Sequence, residues 1–235
     1  MPIDTTELQA VDFALGAFIS SVFDEMAENG PANYVRFLQR PTNDKIFRTD
    51  HQDAKELLDK ITADKKGTGT NKRPDLPIIG YFRKPGFSNG DFQSISGKRL
   101  RWAGGTDDLN NPYKITTMPV NLDYSITFAA WDKPSLDKIC ASWYSFVARK
   151  RIQKFVVPSR IGEDVMLVPA YINDPRNVFL SDASMQPSEQ RLYACTLALQ
   201  VNTQLICGES LTPVEEMEVW GITREYISRA YDIEI

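Results

Sequence analysis

One stretch constrains the fold of this chain more than any other. From Val120 to Ala130 apolar residues recur at every second position: Val120, Leu122, Tyr124, Ile126, Phe128 and Ala130. A period of two means a strand with one buried face, and Asn121, Asp123, Ser125 and Thr127 make the other face polar. The strand runs into Trp131-Asp132-Lys133-Pro134. Asp132 is suited to cap a helix there, and Pro134 falls in the first turn, where a missing N–H costs nothing. Leu136, Ile139, Cys140, Trp143, Phe146 and Val147 then share one stripe, which predicts an amphipathic helix over 134–148. Arg149-Lys150-Arg151 follows, placing positive charge where the helix dipole favours it.

Further strands are predicted at Phe155–Pro158 and Val165–Ile172, with a turn at Asp174–Asn177. The last strong strand is Arg191–Val201, with Tyr193, Cys195, Leu197, Leu199 and Val201 on one face. These segments make an α+β fold: a mostly antiparallel mixed sheet covered on one side by the 134–148 helix. Upstream, Leu8, Val11, Phe13, Leu15, Phe18, Ile19, Val22, Phe23 and Met26 predict a broad, aromatic-rich helix over 5–28, stopped at Asn29-Gly30-Pro31. Its apolar surface must be buried against its own core or against a neighbouring subunit. Tyr34–Leu38 reads as a short strand, and 51–63 as a more polar helix resting on Ala54, Leu57, Leu58 and Ile61. Pro74–Phe82 reads as a strand and Arg99–Trp102 as a shorter one, with long loops at 64–75, 84–98 and 103–112. Loops of that length are commonly functional or become ordered on a partner. The chain thus divides into a single domain over 1–212 and a terminal segment over 213–235. Thr212-Pro213-Val214-Glu215 opens a short helix there with a capping box, and Ile222, Tyr226, Ile227, Tyr231, Ile233 and Ile235 give the rest a docking character.

The residues available for chemistry are few. The chain of 235 residues has one histidine, His51, so no multi-histidine metal site or histidine-based triad can be built within one copy. Cys140, Cys195 and Cys207 form no CxxC pair and read as small buried hydrophobes in a reducing compartment. Glu163-Asp164, Asp107-Asp108 and Glu215-Glu216 sit in turns or at a helix start, where acids serve solubility and capping. Gly67-Thr68-Gly69 lies beside lysines but lacks the phosphate-loop pattern. A net charge of −4 sets the basic cluster Arg149, Lys150, Arg151 and Lys154 in an acidic chain, which favours a solvated helix end over a nucleic-acid groove. No run of about 18 apolar residues is present, so no helical membrane span is expected. The N-terminal MPIDTTELQAVDF has no basic region ahead of an apolar core and does not read as a secretory signal. The expectation is a protein that is not an enzyme and takes no cofactor or metal.

Met118-Pro119-Val120-Asn121-Leu122-Asp123-Tyr124-Ser125-Ile126-Thr127-Phe128, followed by Leu136–Ile139 and Trp143–Phe146, resembles a pattern of contractile-tailed bacteriophage proteins. In that pattern an alternating strand precedes an amphipathic helix that ends in aromatics. Arg191–Val201 resembles the closing strand of the same proteins, and Leu76–Tyr81 their opening strand. The likeness spans roughly 74–202 and is to the tail sheath stabiliser and tail terminator (neck, tail-completion) proteins. It implies a virion structural protein, a ring, typically hexameric, that caps tail tube and sheath and joins them to the neck. Its implied partners are copies of itself, tube and sheath proteins, and neck or connector proteins, with viral dsDNA passing the lumen without specific binding and with no membrane. Assembly would take place in the bacterial cytoplasm. Candidate subunit or partner contacts are Phe13, Phe18, Phe23, Phe87, Phe92, Arg149, Lys150, Arg151, Trp220, Tyr226 and Tyr231. Other readings are a baseplate or tube-initiating component of the same tail, a small cytoplasmic enzyme with a site shared between subunits, and a nucleic-acid-binding module using 149–154 and 65–73.

Overall fold

The structure, a computed structural model, describes residues 7–49, 54, 56–59, 75–90, 102–106, 112–149, 152–161, 164–173, 180–185 and 191–210. The alternating stretch lies within strand β5 (Pro112–Ala130), and all six of its apolar side chains are fully buried. Its partner throughout is β9 (Tyr193–Ser210), antiparallel, from Tyr113 opposite Ser210 to Ala130 opposite Tyr193. At about 3.4 Å per residue this ladder is about 60 Å long. The other edge of β5 is taken in turn by β4 (Trp102–Thr106), β3 (Ser88–Asn89) and β2 (Ile78–Arg83), all antiparallel to it. A short strand β1 (Ile46–Arg48) pairs with β2 in parallel. Beyond β9 lie β8 (Leu180–Asp182) and the hairpin of β6 (Ile152–Ile161) and β7 (Asp164–Asn173). The main path is β1-β2-β5-β9-β7-β6. Helices and a mixed, mostly antiparallel sheet make this an α+β fold.

Helix α1 (Glu7–Asp24), α2 (Ala32–Gln39) and α3 (Lys133–Val147) contribute to the main core. α3 begins where the sequence placed it: the Asp132 carboxylate accepts a hydrogen bond from the Ser135 backbone N–H at 2.9 Å, and Pro134 lies in the first turn. Asn33 Nδ2 donates to the other Asp132 oxygen at 2.8 Å, so the cap also anchors the start of α2. Trp143, Leu136, Ile139 and Val147 of α3 are buried on β5 and β9. On the opposite face of the sheet a smaller apolar cluster joins Ala54, Leu57, Leu76, Ile78, Ala129 and Ala194. Here helical residue Leu57 lies so close to Gly80 that a Cβ would meet its Cδ2 at 2.4 Å, which explains glycine in the middle of β2.

Four expectations are corrected. Tyr34–Leu38 is not a strand but lies in α2. Tyr34 and Phe37, three apart, are both buried, and Phe37 meets Phe23 edge-on with ring centroids 5.2 Å apart. Five residues carry too little pattern to separate a period of two from one of 3.6. The stretch 103–112 is not a loop throughout, since Trp102–Thr106 and Pro112–Thr116 pair as a hairpin. Helix α1 closes at Asp24, ahead of Gly30, whose φ of 136° marks the turn into α2. Strand β9 continues to Ser210, beyond the Val201 expected. No helix among the described residues is long and apolar enough to cross a membrane.

Candidate interaction surface

The apolar content of α1 is absorbed internally. Leu15, Ile19 and Val22 are fully buried, and Phe23 is 1% exposed. Phe18 stacks on Phe155 of β6 with centroids 5.4 Å apart and meets Trp143 and Phe146 edge-on. Phe18 and Phe23 are therefore core residues, not partner contacts as expected. Phe13 is the exception on this helix, 54% exposed. With Ala17 and Ser21, also exposed, it forms a stripe repeating every four residues. Phe87, between β2 and β3, is 52% exposed and remains a candidate contact. Arg149 is exposed just beyond α3, its guanidinium 5.9 Å from the centre of the Phe146 ring. Phe92, Lys150, Arg151, Trp220, Tyr226, Tyr231 and His51 lie outside the described residues, as does the segment 213–235.

A surface that sequence reasoning missed lies on the β6–β7 hairpin. Along β6, Gln153, Phe155, Val157 and Ser159 point inward, while Lys154, Val156 and Pro158 point to solvent. Val156 stands opposite Pro169 of β7, and Pro158 opposite Leu167. Val156 is 53% and Leu167 69% exposed. Proline in a strand lacks the N–H that a ladder needs, and Pro158 sits where this is tolerated, on an edge strand. The β7–β9 ladder is only Tyr171–Asn202 and Ile172–Val201. It stops short of Pro169, whose carbonyl accepts from the Thr203 hydroxyl at 3.3 Å instead. The hairpin thus departs from β9, and its inner residues Phe155, Val157, Val168 and Ala170 join the core with α1. The signal was present in the sequence: Phe155-Val156-Val157 and Met166-Leu167-Val168 are apolar at consecutive positions, so each strand has apolar side chains on both faces.

The main buried charge centre was also missed. Asp12 of α1 is buried and stands between Val11 and Phe13 in an apolar run. Its Oδ1 accepts from the Tyr124 hydroxyl at 2.7 Å and from Arg83 Nε at 3.0 Å. Arg48 Nη2 forms an ion pair with Oδ2 at 2.9 Å, off the angle of a hydrogen bond. Burial and the Asp12 charge push the Tyr81 hydroxyl up to about 12, and the same causes raise that of Tyr124, so both stay protonated. Tyr81 and Gly16 explain how closely α1 approaches β2: a Cβ at Gly16 would stand 2.5 Å from the Tyr81 hydroxyl. The cluster fixes the helix against β1, β2 and β5. Its carboxylate is committed to three partners and is not free for acid–base work.

Other groups are committed in the same way. Burial raises the pKa of the Cys140 and Cys195 thiols, which contact one another, so neither is a ready thiolate nucleophile. A cleft of about 500 Å³ is lined by Asn33, Arg36, Arg40, Asp75 and Trp131 among others. There the Arg40 guanidinium donates to the backbone carbonyls of Asp75 and Pro77, tying the end of α2 to the segment that leads into β2. Among the described residues no three His, Cys, Asp or Glu side chains converge as a metal site would require. No protein-family model matches the chain, and no curated protein matches it.

Proposed function

We propose that this chain is a structural virion protein of a contractile phage tail, one subunit of a closed ring that caps the tail tube and sheath at the neck. The observation that carries the reading is the adjacency of the stretches bearing the resemblance. Met118–Phe128 lies in β5 and Leu136–Phe146 in α3, Tyr193–Val201 lies in β9, and Ile78–Tyr81 lies in β2. These elements are direct neighbours: β2 and β9 flank β5, and α3 packs on β5 and β9. The pattern is therefore one folded unit, not scattered similarity.

The bare apolar faces at Phe13, Val156 and Leu167 supply contact area, and the charged side chains of the interior are occupied in holding the fold. Such a protein works by multivalency. Each subunit offers a modest contact, and a closed ring engages several identical tail subunits at once, raising avidity without a new kind of contact. Cryo-electron microscopy of the particle that contains the chain tests the position. The expected result is a ring of this fold at the head-proximal end of the tail tube. The same fold at the distal end would favour a baseplate or tube-initiating role, and its absence from any tail would end the proposal.

A further inference from the structure

The sheet ends in β6 on one side and β1 on the other, and α1 touches both. A sheet that reaches one helix with both of its ends wraps around it. The stripe of α1 left bare, Phe13-Ala17-Ser21, then faces the interval between those ends. Among the described residues the outer edge of β6 pairs with no other strand. An unpaired edge beside a bare apolar stripe is a template for one more strand.

The chain carries a segment of matching pattern. Tyr231-Asp232-Ile233-Glu234-Ile235 alternates apolar and acidic residues over five positions. Placed as a strand along β6, its apolar residues would fall on the face of Phe155 and Val157, over the α1 stripe. Its two carboxylates would fall on the solvent face, beside exposed Lys154. The last described residue, Ser210, ends the β5–β9 ladder opposite Tyr113. Twenty residues, 211–230, separate it from the segment. With the short helix expected from Pro213 to Trp220 rising about 1.5 Å per residue and the rest extended at about 3.3 Å, they span up to about 52 Å, a reach compatible with a neighbouring copy.

We infer that residues 231–235 of one subunit add as a strand to the β6 edge of the next. This rests on the ring reading above and names the contact that closes the ring. A segment on one surface meets a different surface of its neighbour, the head-to-tail arrangement that cyclic rings require.

Two differently tagged copies expressed together test it. One has Val156 replaced by the photo-crosslinking residue p-benzoylphenylalanine and lacks residues 231–235, so it cannot crosslink to a tail of its own. The other is the full chain. Size by light scattering is measured on the same preparation before illumination. The expected result is a multi-copy assembly in which light joins the two copies, with the crosslinked peptide mapping to 231–235 of the full chain. A multi-copy assembly with no such crosslink overturns this contact and leaves the ring standing. Crosslinking of a full-length p-benzoylphenylalanine variant only to its own tail overturns the contact between subunits as well. A preparation that is monomeric at every concentration, for the full chain alone and for the pair, overturns the ring reading itself.

Discussion

Helix α1 and the β6–β7 hairpin dispose of their apolar residues in opposite ways. The helix is apolar on nearly every side, and its sequence leaves open whether that surface serves its own core or a neighbour; Leu15, Ile19, Val22 and Phe23 are all within the core. The hairpin reads as two ordinary strands, yet Val156 and Leu167 are more than half exposed. The difference lies in geometry. A helix enclosed by a curved sheet and a second helix has cover on most of its circumference, so even a broad apolar surface is used internally. A strand has only two faces, and the second needs another layer. Where no such layer is found among the described residues, an apolar face stays open.

Substitutions in the two regions should separate folding from assembly. The largest effect is expected for Phe23→Ala, which empties a site packed on Phe37 and should cost about 3–5 kcal/mol in urea unfolding at fixed protein concentration. A loss below about 1 kcal/mol would mean that α1 is not enclosed as described. Asp12→Asn removes the charge facing Arg48 and Arg83 and should cost about 2–3 kcal/mol in the same measurement, less than a fully buried pair because both guanidinium groups reach solvent. Asp132→Ala removes the α3 cap and the Asn33 contact, at about 1 kcal/mol. Burial raises the pKa of Asp132, but the hydrogen bonds from Asn33 and Ser135 outweigh it and leave it below the usual carboxylate range. Its stabilising contribution is therefore complete above about pH 3.9 and fades as pH falls through the lower folded-state value. The acid limb of the stability profile should flatten in the Asp132→Ala variant. Leu167→Ser should change stability least, within about 0.5 kcal/mol, because the side chain is already largely in water. Its effect should appear in the yield of assembled particles, and unchanged assembly would remove the hairpin face from the account.

The legible parts of the fold are those with sustained periodicity. The strand through Val120–Ala130, the stripe and Asp132 cap of α3, and the closing strand through Tyr193–Val201 needed only local pattern. Helix α2 escaped because its five central residues fit either period. Strand β4 escaped because Ala103-Gly104-Gly105-Thr106 has turn composition, and only pairing with β5 makes it a strand. Asp12 gave a faint sign, an acid inside an apolar run, but its partners Arg48, Arg83 and Tyr124 are distant in sequence and meet only after folding. Of the candidate contacts, Phe13 and Phe87 are exposed while Phe18 and Phe23 are buried. On a helix with apolar residues all round, composition does not show which few face outward.

The closed ring proposed above is open to a direct check. The mass of the purified full chain, measured by analytical ultracentrifugation over a wide concentration range, tests it most directly. A closed ring gives one discrete species at a fixed integer multiple of the 26.6 kDa chain mass, six for the typical ring, with no growth into longer forms. A single species at 26.6 kDa across that whole range would contradict it.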